Sequence, residues 1–346
     1  MTLAPNPSAA LPKNCTFRES EWRVLSRFWH PIALSADVRD KPVSVQLLDE
    51  QLVVYRNTRE VVVAKDLCLH RGARLSLGWI DGDDLVCGFH GFRYDASGAC
   101  IEIPAHPSAP IPRKLCLTQY PAVERYGLIW TCLGGEPAAP LPEWPELEDA
   151  GLKKVSMPHV DWNASAGRHL ENFNDIAHPS WVHAGTFGHR ENPRVDRYQV
   201  EDCGGRLTMV IPFATIQDRF LGPDAPAPVR EISYRYDCDL PFAGKILIHY
   251  RDGQRAYIFD AGSPVSARRT RIFQFYAHDF PGDWPHQTLI DYNLRILEED
   301  RPFVESQCPE DLPIDLHAEI HIPADRLSVE YRRKLAELGL GPDFSA

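Results

Sequence analysis

Four metal-binding side chains in two short runs constrain this chain more than any other feature. Cys68-Leu69-His70 is followed, after 16 residues, by Cys87-Gly88-Phe89-His90. Glycines flank both runs, Gly72 in one and Gly88 and Gly91 in the other, which places each pair at a hairpin tip. Two such loops can close on one object from opposite sides with two thiolates and two imidazoles. A structural zinc ion is the plain reading of that set. The alternative is a [2Fe–2S] cluster with the cysteines on one iron and the histidines on the other, which raises its potential above that of an all-cysteine cluster.

The surroundings fit a folded protein of two domains. At 346 residues the chain is about twice the ~150 residues of an average domain. Short β-branched runs punctuated by turn residues (Val43 to Leu48, Leu52 to Tyr55, Val61 to Ala64, Cys100 to Ile103, Leu128 to Leu133) predict antiparallel hairpins over 21–135. Prolines 137, 140, 142 and 145 predict a linker over 136–150, and residues 1–20, with Pro5, Pro7 and Pro12, a flexible tail. Beyond 150 come longer strands and two helices. One is expected from about Pro285 to Gln307, capped by Asp283, with Leu289, Ile296, Leu297 and Val304 on one stripe. The other is expected from Ala324 to Leu338 with Gly339 at its end. The expected class is α+β: an all-β N-terminal domain, then an antiparallel sheet wrapped around a long helix over 151–346.

Lys plus Arg number 37 against 48 Asp plus Glu, and a net charge of −11 disfavours nucleic acid or an anionic membrane surface as partner. Charge-free stretches reach only about a dozen residues, below the ~20 that a spanning helix needs. Nine cysteines, an odd number, with no export signal point to a reducing compartment, by default the cytoplasm. Cys100, Cys116, Cys132, Cys203, Cys238 and Cys308 read as small buried hydrophobes.

A second concentration of ligand types is Glu171-Asn172-Phe173-Asn174-Asp175-Ile176-Ala177-His178-Pro179-Ser180-Trp181-Val182-His183. On a helix Asn172, Asp175 and His178 share a face. His178 and His183, five apart, would diverge by roughly 140° at ~100° per residue. Pro179 is expected to break the helix and push His178 out of α geometry, so that both rings reach one ion. A facial triad of two histidines and one carboxylate, with open positions, is the ligand set of non-haem Fe(II) oxygenases. The residues alone leave Glu298, Glu299 and Asp300 open as the third ligand.

Cys68-Leu69-His70-Arg71-Gly72 with Cys87-Gly88-Phe89-His90-Gly91-Phe92 resembles the Rieske iron–sulfur motif. From Trp22 to Gly339 the chain is similar to Rieske non-haem iron oxygenases, in particular the monooxygenase branch with the caffeine N-demethylases, vanillate O-demethylase and dicamba O-demethylase. The resemblance implies the oxygenase component of a system that demethylates or hydroxylates a small aromatic or N-heterocyclic compound with O2, as in the catabolism of aromatics. It implies a [2Fe–2S] cluster on Cys68, His70, Cys87 and His90, and a mononuclear Fe(II) on His178, His183 and Asp300. By the same resemblance Asp175 bridges subunits of a head-to-tail homotrimer, accepting from His90 and His178. No Gly-rich dinucleotide fingerprint or ferredoxin cysteine spacing is found, so a separate NAD(P)H-dependent flavin/[2Fe–2S] reductase or a ferredoxin is expected.

Phe173 and Asn293 are the candidate substrate contacts, Phe173 as a stacking wall and Asn293 as an amide two turns before Asp300. A backbone-bonded Asn and plain core packing are their other readings. The segment Phe220 to Pro228 resembles a lid or entrance loop. The competing functions are a ring-hydroxylating dioxygenase of an aromatic acid, a non-catalytic Rieske electron carrier and a zinc-stabilised binding module.

Overall fold

The computed structural model describes residues 11–219, 227–282, 284–342 and 344–346. They form two compact units, one ending at Leu141 and the other starting at Pro142. In the N-terminal unit three small antiparallel sheets do most of the work. The strands Val43–Leu47, Glu50–Arg56, Val61–Lys65 and Gln119–Tyr120 form one sheet, and Trp79–Asp81, Asp84–Val86, Arg93–Tyr94 and Cys100–Glu102 form another. These two share a core of Val53, Tyr55, Val62, Leu85, Tyr94 and Leu117 that also takes in the Cys68 and Cys87 side chains. The metal-type loops therefore spring from rigid strands.

Part of the expected tail is docked. Thr16 donates through its amide and its hydroxyl to Asp49 Oδ2, both at 2.7 Å, and Phe17 is buried. Helix α1 (Glu19–Leu25) begins at once and sends Trp22 Nε1 to the Leu48 carbonyl at 3.0 Å. That bond secures an unusual two-residue turn, since Leu48 and Asp49 both have positive φ, 49° and 64°. A turn of that hand suits the strand twist but disfavours a leucine, and the full burial of the Leu48 side chain offsets that cost.

The C-terminal unit is built on an eight-stranded antiparallel sheet. Its order is Lys153–Ser156, Arg269–His278, Arg255–Ser266, Ala243–Tyr250, Val229–Asp239, Arg206–Gln217 and Val200–Asp202, with Val160–Trp162 also pairing with Arg269–His278. Helix α2 (Ala166–Asn174) starts at Ser165, whose Oγ accepts from the Arg168 amide at 3.2 Å, and lies against the middle of the sheet. The four-residue helix α3 (Pro179–Val182) follows. The long helix α4 (His286–Glu305) packs on the sheet through Leu289 with Val155 and Met157, and through Leu297 and Val304 with Trp162 and Ile272. Helix α5 (Arg326–Glu337) ends before Gly339, whose φ of +93° suits the turn that closes a helix. The α+β class and the sheet packed on a long helix are thus both present.

Several expectations need correcting. The strand Arg255–Ser266 escaped the sequence reading because Asp260, Gly262, Ser263 and Pro264 look like breakers. Here Pro264 sits beside a register shift, and Gly262 makes room for the His169 ring, which a Cβ would approach to 3.2 Å. The linker holds a buried Trp144 stacked obliquely on Phe259 at 5.5 Å and a short 3₁₀ turn, Pro145–Leu147. Of the six cysteines read as buried, Cys116, Cys203 and Cys308 are exposed. The expected cap Asp283 and residues 220–226 of the expected lid lie outside the described residues. No helix among the described residues is long and apolar enough to cross a membrane.

Candidate metal centres and active site

The two Cys/His loops are built alike. In the first, the Cys68 amide donates to Ala73 O (2.8 Å) and the Gly72 amide to Cys68 O (2.9 Å). In the second, the Cys87 amide donates to Phe92 O (2.9 Å) and the Gly91 amide to Cys87 O (3.0 Å). Gly72 and Gly91 close the turns at φ of 73° and 72°, which a side chain would strain. The loops also approach closely. A Cβ on Gly88 would stand 2.7 Å from Leu77 O, and one on Gly78 only 1.9 Å from Val86 O. Asp66 fastens the base of the first loop by accepting from the Ser76 amide at 2.8 Å and the Ser76 hydroxyl at 2.6 Å.

Cys68 and Cys87 are buried and free of disulfide, while His70 and His90 are exposed. The two imidazoles stand edge to face with centroids 4.6 Å apart, and His70 stacks on Phe92. Burial and then the neighbouring Cys68 thiol push the Cys87 thiol up, against the Phe89 and His90 amides. A buried, unoxidised thiol pair beneath an exposed imidazole pair fits a cluster with a sulfur-bound inner iron and a nitrogen-bound outer iron. Tyr94 is an addition that sequence reasoning missed. Its hydroxyl lies 3.3 Å from Cys68 Sγ, where it would donate to the thiolate that holds the metal.

In the second unit the helix breaks earlier than expected. Asp175, not His178, leaves α geometry (φ −79°, ψ 130°), and its Oδ1 accepts from the Ala177 amide at 2.7 Å. His178 is itself helical (φ −63°, ψ −31°), and Pro179 opens α3. Proline is at home in the first turn of a helix, so it restarts the chain after an aspartate turn. Asn172, Asp175 and His178 consequently share no single helix.

The result is a convergence of three donors, His178, His183 and Asp300. His178 Nε2 and His183 Nε2 are 3.2 Å apart, and Asp300 Oδ1 lies 3.4 Å from the first and 3.2 Å from the second. Those spacings match neighbouring ligands held about 2.1 Å from one ion. Asp300 Oδ1 is buried without a satisfactory hydrogen-bond donor, which is what a metal ligand looks like when only the protein is considered. Burial works to lower the His178 imidazole, but Asp175 and Asp300 outweigh it and push it up to about 9. Burial likewise opposes ionisation of Asp300, yet the two imidazoles hold its carboxyl well below the usual range.

The three carboxylates left open by the sequence separate cleanly. Asp300 faces both imidazoles. Glu299 Oε2 instead meets His183 Nδ1 at 3.0 Å and the Thr186 hydroxyl at 2.7 Å, and Glu298 is an exposed partner of Arg301. Asp175 Oδ2 lies 3.5 Å from His178 Nδ1. The site opens on a cavity of about 290 Å³ walled largely by Ile, Leu, Phe and Tyr side chains, with Phe173, Asn293 and Asn172 also on its lining. Asn293 is buried, donates Nδ2 to Leu289 O at 2.8 Å and lies on the cavity wall.

A Cys/His cluster domain joined to a two-histidine, one-carboxylate pocket defines the class of Rieske-type oxygenases. Residues 28–121 match the Rieske [2Fe-2S] domain family, and 162–340 match the vanillate O-demethylase oxygenase C-terminal domain family. Methylxanthine N1-demethylase NdmA of Pseudomonas putida is 33% identical over 326 residues, covering 92% of this chain and 90% of that protein. The structure of Pseudomonas putida CBB5 NdmA with caffeine superimposes with a TM-score of 0.82 at 31% identity, covering 92% of each chain. Dicamba monooxygenase bound to dicamba shares the fold at 22% identity and a TM-score of 0.77, covering 91% of this chain and 97% of that one.

The chain belongs to the Rieske non-haem iron oxygenases. It is an oxidoreductase, the oxygenase component of a monooxygenase system that draws electrons from a separate reductase, with a [2Fe–2S] cluster and a mononuclear iron as cofactors.

Proposed function

We propose that this oxygenase removes a methyl group from a nitrogen of a small uncharged heterocycle. The observation that carries the reading is the charge of the cavity. Apart from the iron-binding His178 and His183, Arg230 is the one cationic side chain among the described lining residues, and it is already committed. It lies 3.8 Å from Asp218 and 3.3 Å from Asp252, with its guanidinium 3.9 Å over the Tyr250 ring. Asp175 and Asp218 add negative charge. A ring carboxylate or sulfonate finds no uncommitted Lys or Arg on the described cavity walls to replace its hydration. A neutral ring is accepted by the apolar walls, by Phe173 and by the anchored Asn293 amide. The similarity over nearly the whole chain to a methylxanthine demethylase supports the same choice.

In this reading Cys68, His70, Cys87 and His90 hold the cluster, and His178, His183 and Asp300 the iron. Bound there, the Fe(II) supplies one electron and the activation of O2, and the cluster supplies the second electron. Glu299 fixes the orientation of the His183 ring, and the apolar walls keep bulk water from the reacting carbon. One oxygen atom enters a methyl C–H bond. The N–CH2OH group then loses formaldehyde and leaves N–H, while two electrons and two protons reduce the other oxygen atom to water. Hydroxylation or O-demethylation begins with the same C–H oxidation, so the substituent on the bound ring decides the product.

We further read the protein as a cytoplasmic head-to-tail homotrimer in which Asp175 joins the iron of one copy to the cluster of the next. Asp175 retains 32% side-chain exposure and sits beside His178, so its carboxylate is accessible to a donor from outside the chain. Around His70 and His90 the exposed Leu69, Leu77, Trp79 and Phe89 form an apolar apron suited to docking.

The test is oxygen uptake with a surrogate reductase across methylxanthines and methoxybenzoates. Uptake with formaldehyde release from the uncharged methylxanthines is expected. Turnover of the methoxybenzoates alone would overturn the reading.

A further inference from the structure

Gln274 lies on the strand Arg269–His278 and, like Tyr276 two residues on, lines the cavity. Its cross-strand partner is Asp260, which is fully buried. Gln274 Nε2 donates to Asp260 Oδ2 at 2.7 Å, and Asp260 Oδ1 lies 2.7 Å from His169 Nε2. A carboxylate has no proton to give, so the amide nitrogen must face it and the oxygen Oε1 must be the other end. The amide is thereby orientated by a group that no solvent reaches.

The same row of the sheet also places the stacking wall. Gly244 pairs with Asp260, and Asp260 with Gln274. The Phe173 ring occupies the space over Gly244, where an added Cβ would come within 2.9 Å of it. Phe173 and Gln274 thus belong to the same row of the sheet, and both line the cavity. Gln274 is 7% exposed, and a polar side chain that enclosed is costly unless its acceptor finds a partner.

We propose that Gln274 is a specificity-determining residue: its Oε1, set by the Asp260–His169 pair, accepts a hydrogen bond from a ring N–H or O–H of the substrate. The cavity then selects neutral rings that carry one such donor besides the methyl group to be removed. Asp260 and His169 are positioning residues. This rests on the reading of the cavity as the site of a demethylase for uncharged heterocycles.

Theobromine and caffeine differ by N–H against N–CH3 at one ring nitrogen, and their binding to the anaerobic holoenzyme is measured by calorimetry. Oxygen uptake with both is followed in parallel. The wild type should bind theobromine about 10-fold more tightly, as expected for one well-placed hydrogen bond. Gln274→Met keeps the volume and should bring the ratio to about one. Asp260→Asn removes the charge that fixes the amide, so that either end of Gln274 can face the substrate and the preference should weaken. Equal binding or no binding of the two by the wild type, or a ratio unchanged in both variants, overturns the assignment. The expected wild-type and variant binding ratios with no substrate-dependent oxygen uptake would instead overturn the demethylase reading while leaving the Gln274 contact standing.

Discussion

Adjacent carboxylates at the end of α4 do different jobs because a helix turns them about 100° apart. Asp300 points at both imidazoles, and Glu299 holds the outer nitrogen of one of them. Glu299→Gln can still accept from His183 but no longer with a full charge. Iron affinity should fall by about 10- to 100-fold, with cluster content unchanged in an anaerobic iron titration. His30 gives a second residue-scale test. Burial pushes its imidazole down to about 4, against the pull of the Leu25 carbonyl that its Nε2 bonds at 2.9 Å. The folded His30 stays neutral while an unfolded one takes a proton near 6.5. Its contribution is therefore complete above pH 6.5 and is lost as the pH falls toward 4, by about 3 kcal/mol. His30→Gln keeps a donor for Leu25, and its urea midpoint should fall less steeply than the wild type's over that range. Parallel curves would contradict the assignment.

At the scale of elements, the cluster loops depend on how closely two backbones approach. Gly78→Ala drives a methyl group to 1.9 Å from Val86 O, one residue before Cys87. The hairpin has to open, so the variant should lose its cluster chromophore and more than about 3 kcal/mol of stability in its N-terminal unit. Full cluster occupancy would show that the loops tolerate more separation than their packing indicates.

Elements differ in how far the chain announces them. The Cys/His loops could be read because their chemistry is local: ligands, turn glycines and flanking strands lie within a few residues. The α4 stripe was legible for the same reason, with Leu289, Leu297 and Val304 repeating on the helical period. The strand Arg255–Ser266 was not, since its apparent breakers are matched to neighbours distant in sequence. Nor was the turn at Asp175, where a side chain bonding its own backbone ends the helix before the proline that looked responsible. Tyr94 and Glu299 act on a ligand from 26 and 116 residues away, and no spacing rule announces such pairs.

For the whole molecule, the function requires the electrons of one centre to reach the other. In the trimeric reading Asp175 carries that contact across copies, so Asp175→Asn should retain both metals and the oligomer yet lose substrate oxidation by at least about 100-fold. The cluster would then reduce normally with surrogate reductase but stay reduced in the presence of O2 and substrate. Rapid reoxidation at the wild-type rate would remove Asp175 from the path.

The most direct measurement of the central claim is the yield of formaldehyde per O2 consumed when the purified protein, a surrogate reductase and NADH meet an N-methylated uncharged ring. One formaldehyde per O2, dependent on that ring, is the predicted result. Oxygen consumption that ignores the ring, with no formaldehyde formed, would contradict it.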